Sequence, residues 1–132
     1  MYQKIIIAGN LGRDPEMRYT PDGKAVTSFS MATSRKYQDK NYTTWFRCTV
    51  WGNQAEAASQ YLHQGSKILV EGRLNPDPAT GSPRVFQRKD GSWGASYEIT
   101  VENFRFLSSR GEDSGSSGSD YGDEDNADDI PF

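Results

Sequence analysis

Apolar residues that could build a core all but stop at Leu107. Residues 108–127 are mostly Ser, Gly, Asp, Glu and Asn, with Tyr121 as their single aromatic. Such a segment buries too little apolar surface to offset its conformational entropy, so it is expected to be disordered. Any fold must therefore be made by residues 1–107. Beyond the linker stands Asp128-Asp129-Ile130-Pro131-Phe132, two carboxylates followed by three apolar residues. Nothing nearby could fold around that tip, so it reads as a peptide presented to a partner protein. The expected organisation is a folded body at 1–107, an acidic Gly/Ser linker at 108–127 and an interaction tip at 128–132. At about 5–6 Å × √n, a linker of some 20 residues spans roughly 25 Å on average.

Charge follows the same division. Eight of the 18 acidic residues lie in the last 21 positions, where there is no Lys or Arg. Ten remain in residues 1–111 against all 15 basic residues, so the body carries about +5 and the tail −8. The whole-chain value of −3 conceals a basic body, and such asymmetry points to a polyanionic partner.

The body reads mostly as strands. Lys4–Gly9 is a short β-branched run closed by Asn10-Leu11-Gly12. In Ala25–Thr33, Phe29 and Met31 alternate with Ser28 and Ser30, the pattern of a half-buried strand. Thr43–Trp51 makes a third strand, Lys67–Leu74 a fourth and Ser96–Leu107 a long fifth. The one helix candidate is Gln54–Gln64, with Asn53 and Glu56 as a capping-box-like pair and Gly65 to end it. Ala55, Ala58 and Leu62 give it an apolar stripe. Five strands with a helix between the third and fourth is the order of an all-β, five-stranded Greek-key OB-fold barrel. An SH3-like barrel is the alternative, and it lacks a three-turn helix at that point. The Pro- and Gly-rich stretch Asn75–Pro83 is a loop leading into Arg84–Lys89, Asp90-Gly91 and Ser92–Tyr97. Asp-Gly between two such runs predicts a β-hairpin projecting between the fourth and fifth strands.

The third strand holds the candidate site. With a period of two, Trp45, Arg47, Thr49 and Trp51 share one face, and Phe46, Cys48 and Val50 share the other. The second set suits a barrel interior. The first is a poor core but a good stacking platform, because every base has a π-face and a guanidinium can meet phosphate or stack. The plainer reading is that this face packs on another sheet or subunit, with Arg47 reaching to water. In the hairpin, a two-residue Asp90-Gly91 loop would set Arg88 opposite Trp93 and put Phe86, Arg88 and Trp93 on one face. Such a finger has no core of its own for Phe86 and Trp93, which leaves nucleic-acid binding, contact with a neighbouring subunit or a structural cation–π pair. Arg35-Lys36-Tyr37 with Lys40 forms a third aromatic–basic cluster in the loop joining the second and third strands, equally readable as solvated surface.

Catalysis finds no constellation. His63 is the only histidine, Asp14 and Glu16 merely flank Pro15, and Gly9–Arg13 lacks the Gly-Lys-Ser/Thr ending of a phosphate-binding loop. Cys48 is the only cysteine, with no nearby His, and is expected to be a buried small hydrophobe rather than a metal ligand or nucleophile. No cofactor or metal is expected. Ile5-Ile6-Ile7-Ala8 is too short for a signal-peptide or membrane-spanning segment, so no membrane partner is expected and the location expected is intracellular.

Several motifs then occur in order: Gly9-Asn10-Leu11-Gly12-Arg13-Asp14-Pro15-Glu16 with Arg18-Tyr19, Met31-Ala32-Thr33-Ser34, Trp45-Phe46-Arg47 with Trp51-Gly52, Tyr61-Leu62 with Gly65-Ser66, Glu71-Gly72-Arg73-Leu74, and the Asp128–Phe132 tip. In this order and spacing the chain resembles the bacterial single-stranded DNA-binding proteins. The resemblance implies an OB-fold that assembles as a homotetramer, wraps single-stranded DNA and recruits replication and repair proteins through the tip, in the cytoplasm with the nucleoid. It sets Trp45 on a stacking position, Trp51 on one that is usually Phe, Tyr37 on a loop position that is often Trp, and Phe86 near the hairpin Trp. Lys4, Arg47 and Arg73 fall where phosphate is commonly met. Phe46 stands where a His is often found near the subunit interface, and Asn75–Pro83 is an extended loop.

Overall fold

The computed structural model describes residues 1–107; the linker at 108–127 and the Asp128–Phe132 tip lie outside the described residues. The elements run β1 Ile5–Leu11, β2 Glu16–Tyr19, β3 Ala25–Tyr37, β4 Lys40–Trp51, α1 Asn53–Tyr61, β5 Lys67–Leu74, β6 Arg84–Gln87 and β7 Trp93–Phe106. Strands β1, β5, β7, β4 and β3 pair in that order, and β1 returns to β3 through Asn10↔Ala32 and Leu11↔Met31. The sheet is thereby closed. All its pairings are antiparallel except β4 with β7, which run parallel. Counting barrel strands alone, this is the connectivity of the OB-fold. Closure is tight at Gly9, where a Cβ would run into the carbonyl of Ala32.

The inward positions fill the barrel. Met31, Ile68, Val70, Ile99 and Val50 are fully buried, and Ile7, Leu11 and Phe29 join them. Burying each such side chain contributes about 1.5–3 kcal/mol. One end of the barrel is covered by α1 through Ala55, Ala58 and Leu62, as the apolar stripe requires. Thr27, also buried, donates from Oγ1 to the Ala55 carbonyl at 2.6 Å, which ties the helix to β3.

Several boundaries differ from expectation. The helix begins one residue earlier, at Asn53, and ends at Tyr61 rather than Gln64. Gly52 is its N-cap, with no side-chain cap bond, so the Asn53–Glu56 box does not form. Leu62 leaves the helix in an extended conformation because its side chain is drawn into the core. Gly65, at φ 89°, serves the following turn and donates to the Leu11 carbonyl instead of ending the helix.

The loop expected between the second and third barrel strands is a long hairpin. Strand β3 continues to Tyr37 and β4 starts at Lys40, with Gln38 and Asp39 both at positive φ (51° and 67°). That pair of left-handed residues makes a two-residue turn matched to strand twist. Strand β2, which is not among the five strands expected from the sequence, pairs with β3 from Glu16↔Ser28 to Tyr19↔Ala25. Asp14 just before it accepts from the Gln64 N–H at 2.7 Å, a structural role.

The projecting finger exists, but its register is shifted by one. Phe86 pairs with Gly94 and Gln87 with Trp93. The loop has three residues, Lys89-Asp90-Gly91, because Gly91 takes φ 92° while its N–H bonds Arg88 O and the Arg88 N–H bonds Ser92 O. A type I turn followed by a left-handed Gly is the common three-residue hairpin loop. Asp90 locks it by accepting from the Ser92 N–H (3.0 Å) and hydroxyl (2.7 Å). Those bonds hold the Asp90 carboxyl below its ordinary pKa. The second arm of the finger is the start of β7, so finger and fifth barrel strand are one continuous strand.

Candidate nucleic-acid interface

The register of the sheet lines up side chains across the outer wall. On β4, Trp45, Arg47, Thr49 and Trp51 point outward, while Cys48 and Val50 are buried and Phe46 is half-buried, as the alternation requires. Trp45 and Trp51 are 53% and 49% exposed, which is far from a core environment. Each residue of this row has neighbours on the flanking strands. Ala32 lies beside Trp45, Ser30 and Glu98 beside Arg47, Ser28 and Thr100 beside Thr49, and Val26 beside Trp51. Arg73 pairs with Thr100, so it belongs to the same wall.

Lys4 and Arg73 are both held by Glu102, at 3.1 and 3.3 Å. Glu102 is free to reach them because the β5–β7 register slips there: Glu71 faces Asn103 and Gly72 faces Val101, leaving Glu102 as the extra residue of a bulge. The Glu102 contact raises the Lys4 pKa above its ordinary value. The Arg47 side chain, by contrast, makes no ion pair or hydrogen bond among the described residues. It is the open guanidinium at the centre of the row.

The finger adds Phe86 and Arg88 to this wall. The Arg88 guanidinium sits 5.5 Å from the Phe86 ring centroid, and its Nη1 donates to the Trp93 carbonyl at 2.9 Å. Gly94 makes room for the pair, since a Cβ there would come within 2.7 Å of Arg88 Cζ and 2.9 Å of Phe86 Cε1. Phe86, Trp45, Arg47, Ser30, Ser96 and Glu98 together line a cleft of about 360 Å³.

Not every candidate residue reaches this wall. Trp93 is cross-strand from Gln87 and stands on the opposite face of the finger from Phe86 and Arg88. The shared face expected for those three therefore does not occur, because the three-residue loop moves the register by one and so inverts one arm. Trp93, 65% exposed, joins Val85 and Tyr97 on an apolar back face. That face continues to Phe46, whose ring lies 5.7 Å from Tyr97, and to a groove with Leu74, Pro76 and Pro83. On the β3–β4 hairpin, Lys36 is level with Asn41 and follows the Trp45 side by alternation, whereas Arg35 and Tyr37 alternate to the other side with Tyr42.

Sequence reading missed Arg18. It pairs with Val26, which also pairs with Trp51, so Arg18 and Trp51 flank one residue across three strands. The exposed Met17-flanking alternation of Glu16–Tyr19 was the available signal, but it is too short to stand out from a loop. Cys48 is fully buried, and burial pushes its thiol up to about 12, which removes it from nucleophilic chemistry at neutral pH. Among the described residues no cluster of His, Cys, Asp and Glu could hold a metal ion, and no helix is long and apolar enough to cross a membrane.

A closed five-stranded barrel with exposed indoles and guanidinium groups across one wall is the build of a binding module rather than an enzyme. The comparisons with known proteins agree. Residues 2–107 match the model of the single-strand binding protein family, and the chain belongs to that family. Two curated relatives are each named single-stranded DNA-binding protein. They come from Neisseria meningitidis serogroup A / serotype 4A (strain DSM 15465 / Z2491) and serogroup B (strain ATCC BAA-335 / MC58). Each is 40% identical over 117 residues, which is 85% of this chain and 63% of the relative. The chain thus spans somewhat under two thirds of the length of the curated relatives it matches.

Proposed function

We propose that this chain binds single-stranded DNA, largely without regard to sequence, through the wall that carries Trp45, Arg47, Trp51 and Phe86. The observation that carries this reading is their common face, with an unpaired Arg47 between two exposed indoles. Basic side chains draw in the phosphate backbone by counterion release, and the aromatics hold unstacked bases at roughly 1–3 kcal/mol each. The names of the Neisseria relatives support the choice of single-stranded DNA. In this reading the protein protects and organises single strands during replication, recombination and repair, as a homotetramer in the nucleoid-associated cytoplasm. The Asp128–Phe132 tip recruits replication and repair proteins, with Ile130, Pro131 and Phe132 filling an apolar pocket and Asp128 and Asp129 steering the encounter.

A tryptophan-fluorescence titration tests the first part. Oligo-dT is expected to quench emission strongly, and duplex of equal length far less. Trp45→Ala should weaken oligo-dT binding, and unchanged affinity would remove the stacking platform from the mechanism. Sedimentation of the full chain tests the tetramer. Removing Phe132 should abolish partner binding and spare DNA affinity, and joint loss of both would contradict the division of labour. The +5 body and −8 tail also imply weak competition by the tail for the DNA surface. Deleting residues 109–132 should then tighten DNA binding at low salt.

A further inference from the structure

Arg47 and Arg88 are cations of the same wall, but they are held in opposite ways. The Arg47 side chain has no partner among the described residues. Arg88 is turned onto its own hairpin. Its Nη1 donates to the Trp93 carbonyl at 2.9 Å and reaches the Ser92 hydroxyl at 3.4 Å, both beyond the turn. Its Nη2 lies over Gly94, where a Cβ would stand only 2.5 Å away. The same missing Cβ makes room for the Phe86 ring, whose Cε1 would be 2.9 Å from it. Guanidinium and ring thus share one seat, with Arg88 Cζ 5.5 Å from the ring centroid. That ring lines the cleft with Trp45. It is 40% exposed on a two-stranded finger that has no core of its own. A phenyl ring so placed exchanges between rotamers unless a neighbour holds it.

We propose that Arg88 is a positioning residue for single-strand binding: it holds Phe86 in its stacking orientation and does not itself meet phosphate. The role rests on the reading of this wall as a single-strand surface and says how one of its aromatics is kept ready. Ordering an exposed ring at the moment of binding costs side-chain entropy, and a ring already held loses less. Arginine suits the task, because its planar fork bonds acceptors across the turn while its face meets the ring. Lysine carries the same charge but has neither the planar face nor the fixed fork. With Nη1 engaged by Ser92 and Trp93 and Nη2 packed against Gly94, the guanidinium faces the hairpin rather than a bound phosphate backbone.

The experiment titrates the full chain with oligo-dT at several salt concentrations and reads two quantities, the affinity and the slope of log K against log salt. Arg88→Ala should weaken binding about threefold, the scale of an exposed cation–π contact. It should leave the slope unchanged, whereas loss of a phosphate contact would flatten it by about 0.7. Arg88→Lys keeps the charge and should not restore the affinity. In a Phe86→Ala background, Arg88→Ala should cost nothing further, because no ring is left to hold. Gly94→Ala keeps every charge and a backbone that alanine accepts, and it should lose affinity by a similar factor by displacing ring and guanidinium. A flattened slope in Arg88→Ala, rescue by lysine, or a full further loss in the Phe86→Ala background would overturn the positioning role and leave the single-strand surface standing. Unaltered affinity in Gly94→Ala would do the same. If the unaltered protein did not bind oligo-dT, the single-strand surface would itself be wrong and the role of Arg88 would fall with it.

Discussion

The indole of Trp45 lies on Gly12: a Cβ at Gly12 would stand 2.6 Å from Cζ3 and 2.9 Å from Cη2 of the ring. Gly12 is fixed in place by its N–H, which donates to the Ser30 carbonyl at 3.0 Å beside the Arg47 row. Its φ lies outside the left-handed region, so alanine suits the backbone and only the ring must move. Gly12→Ala is expected to weaken oligo-dT binding by about fivefold, near 1 kcal/mol of stacking. Thermal unfolding should barely change, because Trp45 is largely exposed. Equal affinity in the variant would mean that the seat does not orient the stacking ring.

The finger separates its two large aromatics. Phe86 looks into the cleft with Trp45, and Trp93 looks away with Val85 and Tyr97. Phe86→Ala should therefore lower affinity for oligo-dT by about fivefold or more, and Trp93→Ala by less than about twofold. Filter binding of the two variants side by side checks this. Comparable losses would put DNA on both faces of the finger.

Salt dependence should distinguish the cations. Each phosphate neutralised on a single strand contributes about −0.7 to the slope of log K against log salt. Arg47→Ala should flatten the slope by roughly that amount. Lys4→Ala should flatten it less, because Lys4 already has Glu102 as its counter-charge at 3.1 Å. Titrations at several salt concentrations give both slopes directly, and equal effects would show that Glu102 releases Lys4 to the DNA.

Cys48 should be silent to thiol reagents until the barrel opens. Burial favours the protonated thiol in the fold, moving its pKa from 9.0 up to about 12. The folded pKa is raised, so stability is kept below the unfolded value and is lost as pH climbs through 9 toward 12. Labelling kinetics at neutral pH should match global unfolding. Fast labelling of the native protein would show local opening of β4.

Much of the barrel was legible because its signals are local. Ser28–Met31 and Trp45–Trp51 alternate with period two, and that alternation alone assigns Phe29, Met31, Cys48 and Val50 to the interior. The Ala55–Ala58–Leu62 stripe likewise located the helix and its packing face. Where the reading failed, the deciding contact was distant or conformational. Leu62 ends the helix because the core takes it, and Gln38-Asp39 turns left-handed without the Gly or Asn that usually announces such a turn. The register of the finger depended on whether the loop held two residues or three, and Asp90-Gly91 is compatible with both.

By itself, the sequence determined the composition of the proposed binding wall. Side-chain direction alternates along an extended chain, so Trp45, Arg47 and Trp51 had to emerge together wherever β4 was placed. Only the tertiary structure decided what stands beside them. Pairing across β3, β4, β7 and the finger brings Gly12 under Trp45, Glu98 next to Arg47 and Arg18 level with Trp51, and it sends Trp93 to the back. Those neighbours come from segments far apart in the chain, and a one-residue slip in a strand register exchanges one face for the other.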